Sequence, residues 1–134
     1  MSTRSLLIIR DEFKEPIICL YKHYDGSTFG DKIIQFANSK KFVSGIQSGS
    51  ENISNGFGDF VAQLVMFFKN QSPVGDVYLY PASIGRSGND PYKDFPDVEY
   101  VYYLSPVIGK SGIIQFFALT IDHCGKTKNI LIPA

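Results

Sequence analysis

The order of apolar patterns along this chain predicts an α+β fold, with a mainly antiparallel sheet of about six strands and two helices packed on one face. Short β-branched runs flank turn residues near the N-terminal end, which is typical of a hairpin. Two segments with apolar residues at helical spacing come next, and four strand-like runs follow them. The predicted order is therefore ββααββββ, in one domain covering residues 1–134.

The N-terminal hairpin is predicted from two apolar runs, Leu6–Ile9 and Ile17–Tyr21, on either side of the polar turn at 11–16. Pro16 suits the first position of the second strand, where its missing N–H costs least.

The two helices differ in how much of their surface is apolar. The first begins at Thr28 or Phe29 and ends near residue 38, with one apolar stripe. The second spans about 57–69, where Met66 and Phe67 extend the apolar surface nearly all round, so we expect it to be the more deeply buried helix. The Ser-, Gly- and Asn-rich stretch between them, 42–56, is predicted to be a surface loop.

The second half of the chain alternates strands and breaks. Strands are predicted at 77–80, 98–104, 113–121 and 129–132. The stretch 82–97 is dense in Gly, Pro, Asn and Asp, which predicts a long loop, and loops of that length are usually functional or mobile. Gly125 suits the positive φ of a turn before the last strand.

The composition excludes several classes of protein. With 44% hydrophobic and 19% charged residues the chain is globular, and its net charge of zero leaves no overall electrostatic footprint for DNA, RNA or an anionic membrane. No apolar run approaches the length of a signal-peptide core or a membrane span, so we expect a cytoplasmic protein. Cys19 and Cys124 lack C-x-x-C spacing and are predicted to be buried free thiols, with a long-range disulfide as the alternative.

The junction between the second strand and the first helix is the first candidate site. It contains His23 and Asp25, followed by Ser27 and Thr28 at a helix entry where backbone N–H groups are free. The helix-entry sequence Phe-Gly-Asp recurs at 57–59, after Asn55 and Gly56. Two such entries lying side by side would suit an anion.

Tyrosines and one arginine complete the candidate ligand site. Tyr78 and Tyr80 share one face of their strand, and Tyr100 and Tyr102 share a face of another, where their rings can stack a base. Arg86, within a Gly-containing loop, suits a phosphate. The alternative is that these tyrosines are structural or line a protein interface, since strands favour tyrosine in any case.

Several of these residues also carry a resemblance. The stretches that match are Tyr21-x-His23-Tyr24-Asp25-Gly26, Asn55–Asp59 with Ala62–Val65 behind it, Val77–Pro81 and Glu99–Tyr102. The chain resembles a family of small bacteriophage and prophage proteins with Y-x-H-[WY]-D-G and V-Y-L-Y-P motifs. It departs from them at Ser27-Thr28, where an aromatic residue and a proline are expected, and in a longer 82–97 loop.

The resemblance implies a viral accessory context and assigns no mechanism. By analogy, phage accessory proteins of this size often counter host defence by binding a protein or by trapping a nucleotide signal.

Together these observations favour a non-enzymatic module, without cofactor or metal, that binds a small anionic, nucleotide-like ligand. A protein-binding or homo-oligomeric module acting through the tyrosine-rich strands is the first alternative. A hydrolase-type enzyme, with His23 as acid or base and Asp25 as its orienter, is the second. Neither a G-x-S-x-G elbow, nor a P-loop, nor H-E-x-x-H occurs in the sequence.

Overall fold

The fold is built on a mixed six-stranded sheet, which a computed structural model describes over residues 3–42, 53–110 and 112–134. The elements in chain order are β1 (Ser5–Arg10), β2 (Pro16–Lys22), α1 (Phe29–Asn38), β3 (Lys41–Phe42), β4 (Ile53–Ser54), α2 (Gly56–Gln71), β5 (Val77–Tyr80), α3 (Pro91–Asp94), β6 (Tyr100–Ile108), β7 (Ile114–His123) and β8 (Lys126–Pro133). The six strands lie in the order β5-β2-β1-β6-β7-β8. The predicted α+β class is confirmed.

Strand pairing follows the prediction in part. The N-terminal hairpin of β1 and β2 is antiparallel, and Pro16 opens β2 as expected. The central pair, β1 and β6, is parallel, so the sheet is mixed. All residues of β1 from Leu6 to Ile9 are buried, as expected of a strand covered on both faces.

The predicted order ββααββββ is not matched in detail. The two-residue strands β3 and β4 form a separate parallel pair between the helices. The predicted surface loop at 42–56 falls largely on residues 43–52, which lie outside the described residues. A third helix, α3, interrupts the stretch predicted to be a loop.

Helices α1 and α2 pack on one face of the sheet, which we call the helix-side face, and they run antiparallel. Phe29 at the start of α1 lies 4.7 Å from Phe68 near the end of α2, and Phe36 lies 5.4 Å from Phe60, measured between ring centroids. The prediction that α2 is the more buried helix is wrong. Its apolar surface is wide, but only one stripe reaches the sheet, and Met66 is 59% exposed.

Residues 81–98, which we call the covering segment, pack on the opposite, segment-side face. The predicted long loop at 82–97 contains short helical structure that the sequence pattern does not indicate, a 3₁₀ turn at Ala82–Gly85 and the four-residue helix α3. Ile84, Tyr92 and Phe95 contact a second core beneath them. The Tyr92 hydroxyl also donates to the Asp122 carboxylate on β7, at 2.8 Å. The segment is therefore anchored by apolar packing and by a hydrogen bond.

The two cysteines are free and occupy different environments. Cys19 is buried beneath the covering segment, and burial raises the pKa of its thiol to about 12, which leaves it unreactive. Cys124 is exposed in the β7–β8 turn, so the prediction of burial is wrong there. Gly125 has the predicted positive φ, 89°. Across the described ranges, no helix has the length and apolar character needed to cross a membrane.

Candidate functional site

Two depressions open on the segment-side face, one at each side of the covering segment. The first encloses about 430 Å³ and is mostly aromatic, and we call it the aromatic cup. It is lined by Tyr21, His23, Tyr78, Tyr80, Asp94, Phe95, Pro96, Asp97 and Val98.

Strand register assembles the cup. Tyr21 of β2 pairs with Tyr78 of β5, and Tyr80 lies two residues further along the same face. Phe95 of the covering segment closes the cup from above, with its ring centroid 6.0 Å from that of Tyr21 and 5.0 Å from that of Tyr80. The aromatic walls thus come from β2 and, far along the chain, from β5 and the covering segment that follows it.

His23 sits at the rim of the cup in a fixed orientation. Its backbone N–H donates to the carbonyl oxygen of Asp76 at 2.8 Å. Its Nδ1 lies 3.1 Å from the hydroxyl oxygen of Tyr21, and its ring packs edge-on against Tyr24 at 4.5 Å between centroids. Tyr21, rather than Asp25, is therefore the hydrogen-bond partner that orients this imidazole.

A buried ion pair supports the rim from the other side of the sheet. Lys22 Nζ lies 2.6 Å from Asp76 Oδ2, with the two side chains only 8% and 11% exposed. The other Asp76 oxygen accepts the Tyr24 N–H at 2.9 Å. Burial opposes ionisation of Asp76, but the hydrogen bonds from Lys22, Tyr24 and Ser72 outweigh it and hold the pKa of the carboxyl below its usual range.

The second depression encloses about 500 Å³, and we call it the basic depression. It lies over β6 and β7, beyond the other side of the covering segment. Its lining includes two cations and no carboxylate, and consists of Arg10, Lys14, Ser87, Gly88, Asn89, Tyr103, Leu104, Ser105, Ala118 and Thr120.

Arg10 is held rigidly at the edge of the basic depression. Its Nε donates to the carbonyl oxygen of Gly85 at 2.8 Å, and its guanidinium lies 4.7 Å above the ring centroid of Tyr103. Burial raises the pKa of Tyr103, so the phenol stays neutral beneath the cation even though Arg10 acts in the opposite direction. Within the described residues, the two terminal guanidinium nitrogens have no hydrogen-bond partner, which leaves them available to a ligand.

The two depressions differ in charge. The aromatic cup has two carboxylates in its lining, Asp94 and Asp97, and no lysine or arginine. The basic depression has two cations in its lining, Arg10 and Lys14, and no carboxylate. An anion is therefore favoured in the second and disfavoured in the first.

The structure places the candidate ligand-binding residues in different parts of the molecule. His23 and Tyr80 meet in the aromatic cup. Asp25, Ser27 and Thr28 are exposed in the short turn before α1, where Asp25 has a φ of 56° and its carbonyl accepts the Thr28 N–H at 3.1 Å. These three residues line neither depression.

Tyr100 and Tyr102 share a face, as predicted, but it is the helix-side face, opposite to Tyr80. Tyr102 is 1% exposed, and its hydroxyl donates to the carbonyl oxygen of Gly26, in the short turn before α1. Burial raises the pKa of Tyr102 to about 12. Tyr100 stacks on His123 with 4.2 Å between ring centroids. The buried Tyr102 ring has no surface left on which a base could stack.

The two helix entries lie at opposite ends of the antiparallel helix pair, so they do not form a common site. Asn55 and Gly56 begin α2, where the Asn55 N–H donates to the Asp59 carboxylate at 2.8 Å. Arg86 is exposed and lines neither depression, although its neighbours Ser87 and Gly88 line the basic one.

The sequence patterns do not indicate several of the residues that line the two depressions. The sequence pattern indicates the loop around Arg86, but the arginine that lines the depression is Arg10, which marks the end of β1 in the sequence pattern. The contact between Arg10 and Gly85 spans 75 positions, and no local pattern reports it. Phe95 and Asp97 reach the cup in the same long-range way.

Neither a search for metal ligands nor comparison with known proteins assigns a further role to these residues. Among the residues that the structure describes, no three histidine, cysteine, aspartate or glutamate side chains come together as a possible metal site. Comparisons of the chain with protein-family models, with curated proteins and with solved structures find no match.

Proposed function

We propose that the protein is a non-enzymatic module that binds a small phosphate-bearing ligand, such as a nucleotide, in the basic depression. The observation that carries this proposal is the fixed position of Arg10, whose Nε is engaged by Gly85 while its terminal nitrogens face no partner within the described residues. An arginine held in this way loses little entropy when it binds a phosphate through two hydrogen bonds.

The other lining residues suit the same ligand. Lys14 adds a second positive charge at the rim. Ser87 and Gly88 bring exposed backbone from the covering segment, and Gly88 has a φ of 88°, a conformation that occurs in anion-binding turns. The Ser105 hydroxyl is a further donor in the lining.

The resemblance to phage and prophage proteins supports an accessory role for this binding. A protein that retains a signalling nucleotide without altering it would lower the concentration of that signal in the host cytoplasm. Sequestration requires tight binding and no chemistry, which agrees with a site built around a fixed cation.

The test is to incubate the purified protein with a nucleotide extract, remove unbound material, release the ligand by heat and identify it by mass spectrometry. Intact nucleotide supports sequestration, whereas altered nucleotide supports an enzyme. No retained nucleotide, together with no binding of inorganic phosphate or nucleoside phosphates by calorimetry, contradicts the proposal.

Variants locate the site. Arg10→Lys keeps the charge but loses the planar fork, and we expect it to weaken binding by about 10- to 100-fold, the range for a lost charge-assisted hydrogen bond. Lys93→Ala removes an exposed cation that lines neither depression and should leave binding unchanged. Arg86→Ala tests the arginine indicated by the sequence pattern. Loss of binding in Arg86→Ala with normal binding in Arg10→Lys would contradict the basic depression as the site.

A protein–protein interface is the second candidate, because part of the segment-side face has no cover within the described residues. Val107, Phe116 and Leu131 lie on this part of β6, β7 and β8, and Leu131 is 63% exposed. We expect Leu131→Glu to convert a homo-oligomer to a monomer, as measured by mass in solution. If the unmodified protein is already a monomer, this face is not a homo-oligomer interface at the concentration used.

A further inference from the structure

The aromatic cup does not belong to the proposed phosphate site. The two depressions share no lining residue, and the covering segment lies between them. The carboxylates of the cup would repel the phosphates that the basic depression favours. The cup therefore requires a ligand of a different chemical class.

The planes of the aromatic rings that line the cup are inclined to one another at different angles. The plane of Tyr21 is inclined by 47° to Tyr78 and by 73° to Tyr80. Phe95 stands at 82° to Tyr80 but at only 25° to Tyr21. Tyr78 and Tyr80 are 48% and 38% exposed, so their rings remain accessible. A cation that lies against the accessible face of any of these rings is attracted by the ring's electron-rich π system.

The charged groups at the cup add to this attraction. Asp94 and Asp97 are both exposed, and Asn89 donates to the Asp94 carboxylate at 3.0 Å. Arg4 Nη1 lies 3.5 Å from Asp97 Oδ2, but the Asp97 side chain is 79% exposed. Ion pairs between exposed side chains are weak. With one arginine set against two carboxylates, the charge at the cup stays negative.

We infer that the aromatic cup binds an alkylated ammonium group. Aromatic walls with nearby carboxylates and no lysine or arginine in the lining are the arrangement that recognises such cations, because methyl groups fill the cavity while the charge is met by rings and carboxylates. The volume of about 430 Å³ accommodates a trimethylammonium group with its attached chain.

The test compares choline with 3,3-dimethyl-1-butanol, which has nearly the same shape but no charge. Binding is followed by calorimetry and by the shifts of tyrosine ring signals in NMR spectra. We expect choline to bind at least about tenfold more tightly than the neutral analogue. Equal binding of the two compounds, or no binding of either, would overturn the inference, and binding of a free nucleobase alone would assign the cup to base stacking instead.

Variants of the cup make the test specific. Tyr80→Leu keeps an apolar side chain but removes a ring, and it should weaken choline binding by about five- to tenfold. Asp97→Asn removes a charge and should weaken choline binding while leaving the neutral analogue unaffected. Phe13→Leu, which removes an exposed ring that lines neither depression, is the matched control. An unchanged affinity in both cup variants would contradict the assigned site.

A second experiment distinguishes the two sources of the cation, a modified protein tail and a free metabolite. A short peptide with a trimethyllysine is compared with the same peptide carrying unmodified lysine and with free choline. Stronger binding of the trimethyllysine peptide than of choline indicates a modified protein tail, and the reverse order indicates a free metabolite. Phosphate binding is measured in the same samples, so failure of the cup inference is separable from failure of the phosphate proposal.

Discussion

The side chain of Lys22 carries a charge into the protein interior, where Asp76 neutralises it at 2.6 Å. Lys22→Met removes the cation and leaves the Asp76 carboxylate buried without its ion partner. We expect this change to lower the free energy of unfolding by about 3–5 kcal/mol, as measured by urea denaturation. Lys93→Met, at an exposed position, should change it by less than about 0.5 kcal/mol.

A second variant checks the cause of that loss. In Lys22→Met with Asp76→Asn, the buried carboxylate is also removed, so part of the stability should return. If the double variant is less stable than Lys22→Met by the full cost of Asp76→Asn alone, the two residues are not coupled and the explanation fails.

The pKa of Asp76 also predicts how stability depends on pH. Because the folded protein holds the pKa of Asp76 below its ordinary value of 3.8, the stabilising contribution is fully present above that ordinary value and is lost as the pH falls through the folded pKa. The free energy of unfolding should therefore fall as the pH is lowered below the ordinary pKa of 3.8, as measured by thermal denaturation in a pH series. Asp76→Asn should be less stable at neutral pH and should flatten this slope, and an unchanged slope would contradict the assignment.

The β7–β8 turn shows how one unfavourable residue can be tolerated in an element. Both of its central residues have positive φ, 53° at Cys124 and 89° at Gly125, as a type I′ turn requires. Asparagine adopts this conformation more readily than cysteine, so Cys124→Asn should raise the free energy of unfolding by up to about 1 kcal/mol in urea denaturation. Gly125→Ala should lower it. A destabilising Cys124→Asn would show that the thiol makes a contribution beyond the turn.

The covering segment depends on one close approach to the sheet. A Cβ at Gly85 would overlap Cγ2 of Ile8, so Gly85→Ala should lift this part of the segment and lower the stability, as measured by urea denaturation. It should also weaken ligand binding in both depressions, since the segment lines each of them. Gly58→Ala meets open space at the start of α2 and is the matched control, with a change of about 0.5 kcal/mol or less in either direction. Equal effects of the two substitutions would contradict the tight contact.

Local patterns in the sequence account for the six strands of the main sheet, for the two longer helices and for the faces of single strands, but not for β3, β4 or α3. They correctly group Tyr78 with Tyr80 and Tyr100 with Tyr102, because alternation along a strand is a local property, but they do not report that the two pairs lie on opposite faces of the sheet. They do not report that β6 enters the sheet beside β1, or that α1 and α2 run antiparallel. The same reason explains why Arg10, and not Arg86, lines the basic depression. The covering segment contacts β1 through residues that are far apart in the sequence.

At the scale of the whole molecule, the helix-side face of the sheet holds the larger core, and the segment-side face holds the second core and both depressions, with the covering segment between the depressions. Residues 87–89 of this segment line the basic depression, and residues 94–98 line the aromatic cup. A ligand in either depression therefore binds only the form in which the segment is packed on the sheet. By linkage, each ligand should favour the packed form along the whole segment.

Trypsin cleavage measures this coupling, because the segment has two exposed cleavage positions, Arg86 near the basic depression and Lys93 near the cup. Inorganic phosphate should slow cleavage after Lys93, and choline should slow cleavage after Arg86, although each ligand binds on the far side of the segment. Cleavage after Lys128, in β8, is the internal control. Protection confined to the position nearest each ligand would show that the ligand shields the peptide bond directly and that the segment does not act as one unit.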